Sequence, residues 1–146
     1  MAAEMGLSGE GGDLLVSIGI RENDAPQTLE DANWVIGTVS VAVGAFRGDY
    51  TASFMSRDFA DFQAQLEKVV NAGIGVASFR TVEDNLEIDI EVGRLGQARV
   101  HGVARTIGPP SAEFDFSFES DLGRIATACM GLRRIVSEFP VISQLR

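Results

Sequence analysis

The segment from Leu86 to His101 constrains the fold more than any other. Leu86, Ile88, Ile90 and Val92 alternate with Glu87, Asp89 and Glu91. A period of two sends alternate side chains to opposite faces of a strand, so one face here is apolar and the other carboxylate. Arg94-Leu95-Gly96 then fits a three-residue hairpin loop whose last position favours glycine. The chain is expected to return along Gln97–Ile107, with Glu91 opposite Arg99 and Asp89 opposite His101. Opposite charges facing each other across strands contribute about 0.2–1 kcal/mol each, so pairing explains part of the acidic row. A chain with this hairpin must build an antiparallel sheet with one dry and one wet face.

The remaining segments supply its neighbours. Asp13–Arg21 alternates Leu14, Val16, Ile18 and Ile20 against Leu15, Ser17 and Gly19, which predicts a strand. Glu22–Asp31, with Pro26, reads as a loop. Asn33–Phe46 is a long β-rich run, and Arg47-Gly48 is the expected turn into Tyr50–Met55, pairing Val43 with Ala52 and Val41 with Phe54. Arg57–Ala72 changes to helical period, with Phe59, Phe62, Leu66, Val69 and Val70 on one stripe, Ser56 or Asp58 as cap and Gly73 at the C-terminal end. Gly75–Thr81 is a further strand. After the Gly108-Pro109-Pro110-Ser111 turn, Ala112–Glu119 points Phe114, Phe116 and Phe118 one way and Glu113, Asp115 and Ser117 the other. A last helix is expected from about Asp121 to Phe139, capped by Ser120 and ended by Pro140. No internal repeat is visible. The order is β-β-β-α-β-β-β-β-α. The expectation is an α+β fold: one curved, mostly antiparallel sheet of about seven strands with two helices packed on it.

At 146 residues the chain fits a single domain, expected over residues 13–146. Residues 1–12 are Gly-rich and polar, without the basic and apolar regions of a secretory signal, and read as a disordered tail. No apolar run reaches the roughly 18–20 residues of a membrane span. Twelve basic residues against twenty-one acidic ones leave a net charge of −9. Nucleic acid and anionic membranes attract cationic faces, so neither is an expected partner. Cys129 is the lone cysteine, excludes an internal disulfide, and suits a reducing cytoplasm. Its place in an apolar stripe reads as packing.

Chemistry-bearing patterns are sparse. One His and one Cys cannot supply a zinc cluster, and Glu87-Ile-Asp-Ile-Glu91 lies in a strand rather than a calcium loop, so no metal or cofactor is expected. His101, set against Asp89 with a serine as nucleophile, is the candidate for a small hydrolase or ligand-binding domain. No GxSxG motif accompanies it, and a surface His paired with an acid is the simpler reading. Gly73-Ile-Gly75 merely links a helix to a strand and makes no phosphate cradle. Glu83, Asp84, Glu87, Asp89 and Glu91 form the densest acidic segment and are the candidate partner-binding residues, as an electrostatic docking face for a basic protein. Trp34 reads either as an interface anchor or as packing under a helix.

A set of segments carries a family resemblance. These are Gly44-Ala-Phe-Arg-Gly48, then Ser56-Arg-Asp-Phe-Ala-Asp-Phe-Gln-Ala-Gln-Leu66, the alternating acidic hairpin, and Phe114-Asp-Phe-Ser-Phe-Glu-Ser-Asp-Leu122 leading into the last helix. Over about residues 14–140 the chain resembles the WapI-type immunity proteins, small bacterial cytoplasmic proteins encoded beside wall-associated polymorphic toxins. The family's Asp-Gln pair at the last helix is represented here by Asp121-Leu122, without the Gln. The resemblance implies a non-enzymatic binder that neutralises a cognate toxin and carries no catalytic residues. The other readings are the His101-based hydrolase and a structural domain that self-associates, as a homodimer, through an exposed edge strand.

Overall fold

The chain enters its first strand where the sequence reads as a tail. In the computed structural model, which describes residues 2–145, Ala3–Gly9 is strand β1 and pairs antiparallel with β2 (Gly12–Arg21). Ala3, Met5 and Leu7 are buried while Glu4, Gly6 and Ser8 face outward, a period of two diluted by small residues of weak strand preference. The glycines there are not slack. A Cβ on Gly9 would sit 2.0 Å from the Glu119 carbonyl oxygen, and one on Gly12 would sit 2.6 Å from the Phe118 ring. They permit the β1–β2 turn to lie against the far strand, where Glu10 N–H donates to Glu119 O at 2.9 Å. The expected disordered tail is therefore corrected to a core strand.

A four-residue helix, α1 (Leu29–Ala32), interrupts the loop before β3 (Trp34–Val43) and β4 (Phe46–Met55). The β3–β4 turn is Gly44-Ala45, not Arg47-Gly48: Gly44 adopts φ 59°, and Val43 pairs with Phe46. Val41 faces Gly48 and Val35 faces Phe54. The expected register slips by an even number of residues, so every side chain keeps its face; alternation fixes which face is buried, not which glycine turns. Helix α2 (Ser56–Ala72) follows at once, and the Asp58 carboxylate accepts from Met55 N–H at 3.1 Å to close its first turn. Gly73 ends it at φ 72°.

Then come β5 (Gly75–Phe79), β6 (Leu86–Val92), β7 (Gln97–Thr106), β8 (Ala112–Asp121) and α3 (Leu122–Glu138). The predicted register, Glu91 opposite Arg99 and Asp89 opposite His101, is present, but the expected charge pairs do not form: Arg99 pairs with Glu119 and His101 with Asp115 on β8 instead. Asp121, rather than Ser120, caps α3 by accepting from Arg124 N–H at 2.9 Å.

The architecture is α+β and antiparallel, but it is not one seven-stranded sheet. Two four-stranded sheets form, β1-β2-β3-β4 and β5-β6-β7-β8. The sequence is thus a structural duplication, four strands and a long helix twice over. Phe59, Phe62, Leu66 and Val69 of α2 occupy the places of Ile125, Ala128, Leu132 and Ile135 of α3. Only apolar spacing is shared, so the repeat is invisible as residue identity. The equivalent residues Glu67 and Arg133, 66 positions apart, meet across the helix pair in a two-pronged ion pair. Each helix covers the first strand of the other unit. Gln65 of α2 bonds both backbone groups of Ser78 in β5, at 2.8 and 3.0 Å. Gly131 of α3 lets the helix close onto the β1 backbone at Glu4 and Met5. The inner faces and both helices share one core, centred on Phe54, Phe59, Phe62 and Phe79.

Candidate functional site

Alternation along β6, β7 and β8 turns Glu87, Asp89, Glu91, Arg99, His101, Arg105, Glu113, Asp115 and Glu119 onto one outer face, because Ile88, Ile90, Val100, Phe116 and Phe118 take the inner one. Two arginines that the sequence reading passed over organise it. Arg80, just past β5, pairs with Glu87 at 3.3 Å and with Asp89 at 3.0 Å. Arg105 pairs with Glu87 at 2.5 Å, Glu113 at 2.8 Å and Asp84 at 3.1 Å. Burial pushes the Asp89 carboxyl up, but hydrogen bonds from Ser78 and Arg80 outweigh it and hold it below its ordinary value. Glu87 raises the Arg105 guanidinium, with Glu113 and Asp84 adding to it against desolvation. The parity of β7 and β8 was the available signal: with β8 fixed by its three phenylalanines, Arg105 falls opposite Glu113.

The five sequence-predicted residues lie together, on β6 and the loop before it, in two different states. Asp84, Glu87 and Asp89 are held by Arg80 and Arg105. Glu83 and Glu91 are exposed and make no ion pair among the described residues. The loop carrying Glu83 and Asp84 is anchored to the first sheet through Asn85. Tyr50 Oη donates to the Asn85 carbonyl at 2.7 Å, Asn85 Nδ2 donates to Ser53 O at 2.9 Å, and Thr81 Oγ1 donates to Asn85 Oδ1 at 2.9 Å. Burial pushes the Tyr50 phenol up to about 12, so it stays a donor there. Glu83, Arg105, Tyr50 and Asn85 line an open cleft of about 430 Å³ between the sheets.

The structure does not assemble the hydrolase arrangement around Asp89. Asp89 faces His101 in register, but its carboxylate is taken by Ser78 and Arg80. The His101 ring Nε2 bonds Asp115 at 2.8 Å instead, and neither residue lines any of the described cavities. Among the described residues no three His, Cys, Asp or Glu side chains are grouped to hold a metal ion. Cys129 is buried, and burial with the nearby Glu67 pushes its thiol up to about 11. Trp34 is half-buried on the outer side of β3. Among the described residues no helix is long and apolar enough to cross a membrane.

The outer face of β6–β8 is a charged sheet surface whose carboxylates are held by Arg80, Arg99 and Arg105. The chain matches the model of the immunity protein WapI-like family over residues 6–140 and belongs to that family. No curated protein sequence matches it. The match begins inside β1, so the duplicated strand set is included in full apart from its first residues.

Proposed function

We propose that this chain is a non-enzymatic, cytoplasmic immunity protein that neutralises a cognate bacterial toxin by binding a basic surface of it to the outer face of β5–β8. The supporting observation is the charge of that face. Glu83, Asp84, Glu87, Asp89, Glu91, Glu113, Asp115 and Glu119 outnumber Arg80, Arg99 and Arg105. The arginines do not neutralise it. They fix the carboxylates in place, which lowers the ordering cost of docking. Membership of the immunity family supports a protein toxin as the partner, and complementary charge then sets on-rate and selectivity.

The test is co-expression with the toxin domain encoded beside this chain, scored as rescued growth, followed by association kinetics at low and high salt. Glu83→Lys and Glu91→Lys are the informative variants, because they change charge without dismantling the Arg80 and Arg105 networks. Association of the double variant is expected to slow about tenfold at low salt and to approach the parent's rate at high salt. Rescue with salt-independent association would keep the immunity role and remove this face from it. Absence of rescue would remove the role itself.

A further inference from the structure

We infer that the chain forms a homodimer by pairing the open half of β4 with the same segment of a second copy. The two sheets end in four edge strands, β1, β4, β5 and β8. An unpaired edge offers free backbone N–H and C=O groups, and folds normally cover or blunt it. Here β1 lies under α3, and β5 is bonded by Gln65. The exposed half of β8 carries Glu113 and Asp115, which repel a second copy of themselves. The β4 edge is different. Ser53 O and Met55 N face away from β3, since they bond Asn85 and Asp58. Antiparallel alternation then turns the backbone groups of Thr51, Asp49 and Arg47 the same way. Those groups have no bond partner among the described residues. The Asn85 anchor closes the edge at Ser53, leaving Phe46–Thr51 open.

The open stretch is complementary to itself in one register. Centring a two-fold axis on Gly48 sets Arg47 opposite Asp49 of the second copy, twice, with Phe46 against Tyr50 on the other face. Shifting the axis to Asp49 would set two carboxylates against each other. Phe46 is 71% exposed, a large apolar side chain left without cover. It borders a cleft of about 300 Å³ with Tyr50, Ala104 and Phe114, and its ring lies 6.3 Å from that of Phe114. The second copy's edge would close over that rim. The edge adjoins the face proposed for the toxin, since Glu113 borders the same cleft.

Light scattering of the purified chain over a dilution series reads this directly. The parent is expected to be a concentration-dependent dimer. Asp49→Arg, which opposes two guanidiniums in both pairs, is expected to raise the dimer dissociation constant at least about tenfold, and the swap Arg47→Asp/Asp49→Arg to restore it. Thermal melts of the monomeric variant at the parent's midpoint would show that the fold is intact. Gly48→Cys reads the register: an added Cβ there meets nothing within 4 Å in the chain, and it would face its own copy across the axis, so oxidation is expected to give a covalent dimer. A parent that stays monomeric at its highest soluble concentration overturns the inference. So does an Asp49→Arg chain that dimerises as tightly as the parent. A monomeric parent whose toxin binding is lost in Asp49→Arg would assign the edge to the toxin instead.

Discussion

Gly131→Ala tests the most unexpected element of the fold, the N-terminal strand. Gly131 lies in the middle of α3, where alanine is ordinarily better than glycine by about 0.8–1 kcal/mol. In this fold the added Cβ would stand 2.3 Å from the Glu4 carbonyl oxygen and 3.1 Å from the Met5 Cα. Both are backbone atoms of β1, so no side chain can swing aside. Either the helix or the strand must retreat, and overpacking of this kind costs about 1–3 kcal/mol. Set against the propensity gain, the net expectation is a loss of about 0–2 kcal/mol relative to the parent, and of about 1–3 kcal/mol relative to a helical glycine-to-alanine change that meets no backbone. Gly123→Ala, in the first turn of the same helix, is the control. Its Cβ would approach only the capping Asp121 Oδ1, at 3.2 Å, a side-chain atom that needs to give by only a few tenths of an ångström to keep its bond to Arg124 N–H. Urea unfolding at equal slope is the assay, alongside thermal melts in which Gly131→Ala is expected about 2–12 °C below Gly123→Ala, since a chain of this size moves by about 2–4 °C per kcal/mol. A Gly131→Ala protein as stable as Gly123→Ala would refute the docking of α3 onto β1.

Other substitutions probe the core and the helix pair. Phe79 is fully buried, with its ring 5.3–6.2 Å from those of Phe62, Phe59 and Phe54; Phe79→Ala is expected to cost about 3–5 kcal/mol in chemical denaturation. The Arg133 guanidinium holds the Glu67 carboxyl down at about 2 from an ordinary 4.5. A depressed folded value stabilises above the unfolded value and is lost as pH falls through the folded one. The stability advantage of the parent over Glu67→Gln should therefore be complete above pH 4.5 and vanish as pH approaches about 2; a pH-independent difference would contradict the pairing. Cys129, with its thiol pushed up to about 11, should resist a thiol reagent at pH 8 in the native protein and react on unfolding. Prompt native labelling would show that α3 is not packed as described.

Local periodicity made most of the elements legible before the fold was known. The Leu86–Val92 strand, its hairpin register and both long helices follow from spacing alone, because each has one dry face. β1 was hidden by its composition. Ala3, Met5 and Leu7 alternate correctly, yet Gly6, Gly9 and Gly12 are also what a frayed end contains. The chain needs Gly9 and Gly12 for approach to Phe118 and Glu119, residues more than a hundred positions away. The division into two sheets was hidden for a related reason. Strand order is decided by which edges the helices cover, and Gln65 over Ser78 or Gly131 over Glu4 leaves no local trace.

The acidic segment shows the same limit at the level of the site. Counting carboxylates along β6 finds the right face, because alternation puts Glu87, Asp89 and Glu91 on it. It does not distinguish a carboxylate held by arginine from a free one. That depends on Arg80 and Arg105, which come from a strand end and from β7 and meet at Glu87. The distinction changes what each residue can do. Removing Glu87 would leave two guanidiniums sharing fewer partners and would loosen the anchor of the loop that presents Glu83. Removing Glu83 or Glu91 would subtract charge and little else. A scan that found Glu87 most damaging to binding would then be measuring the scaffold, and the contribution of charge itself is read at Glu83 and Glu91.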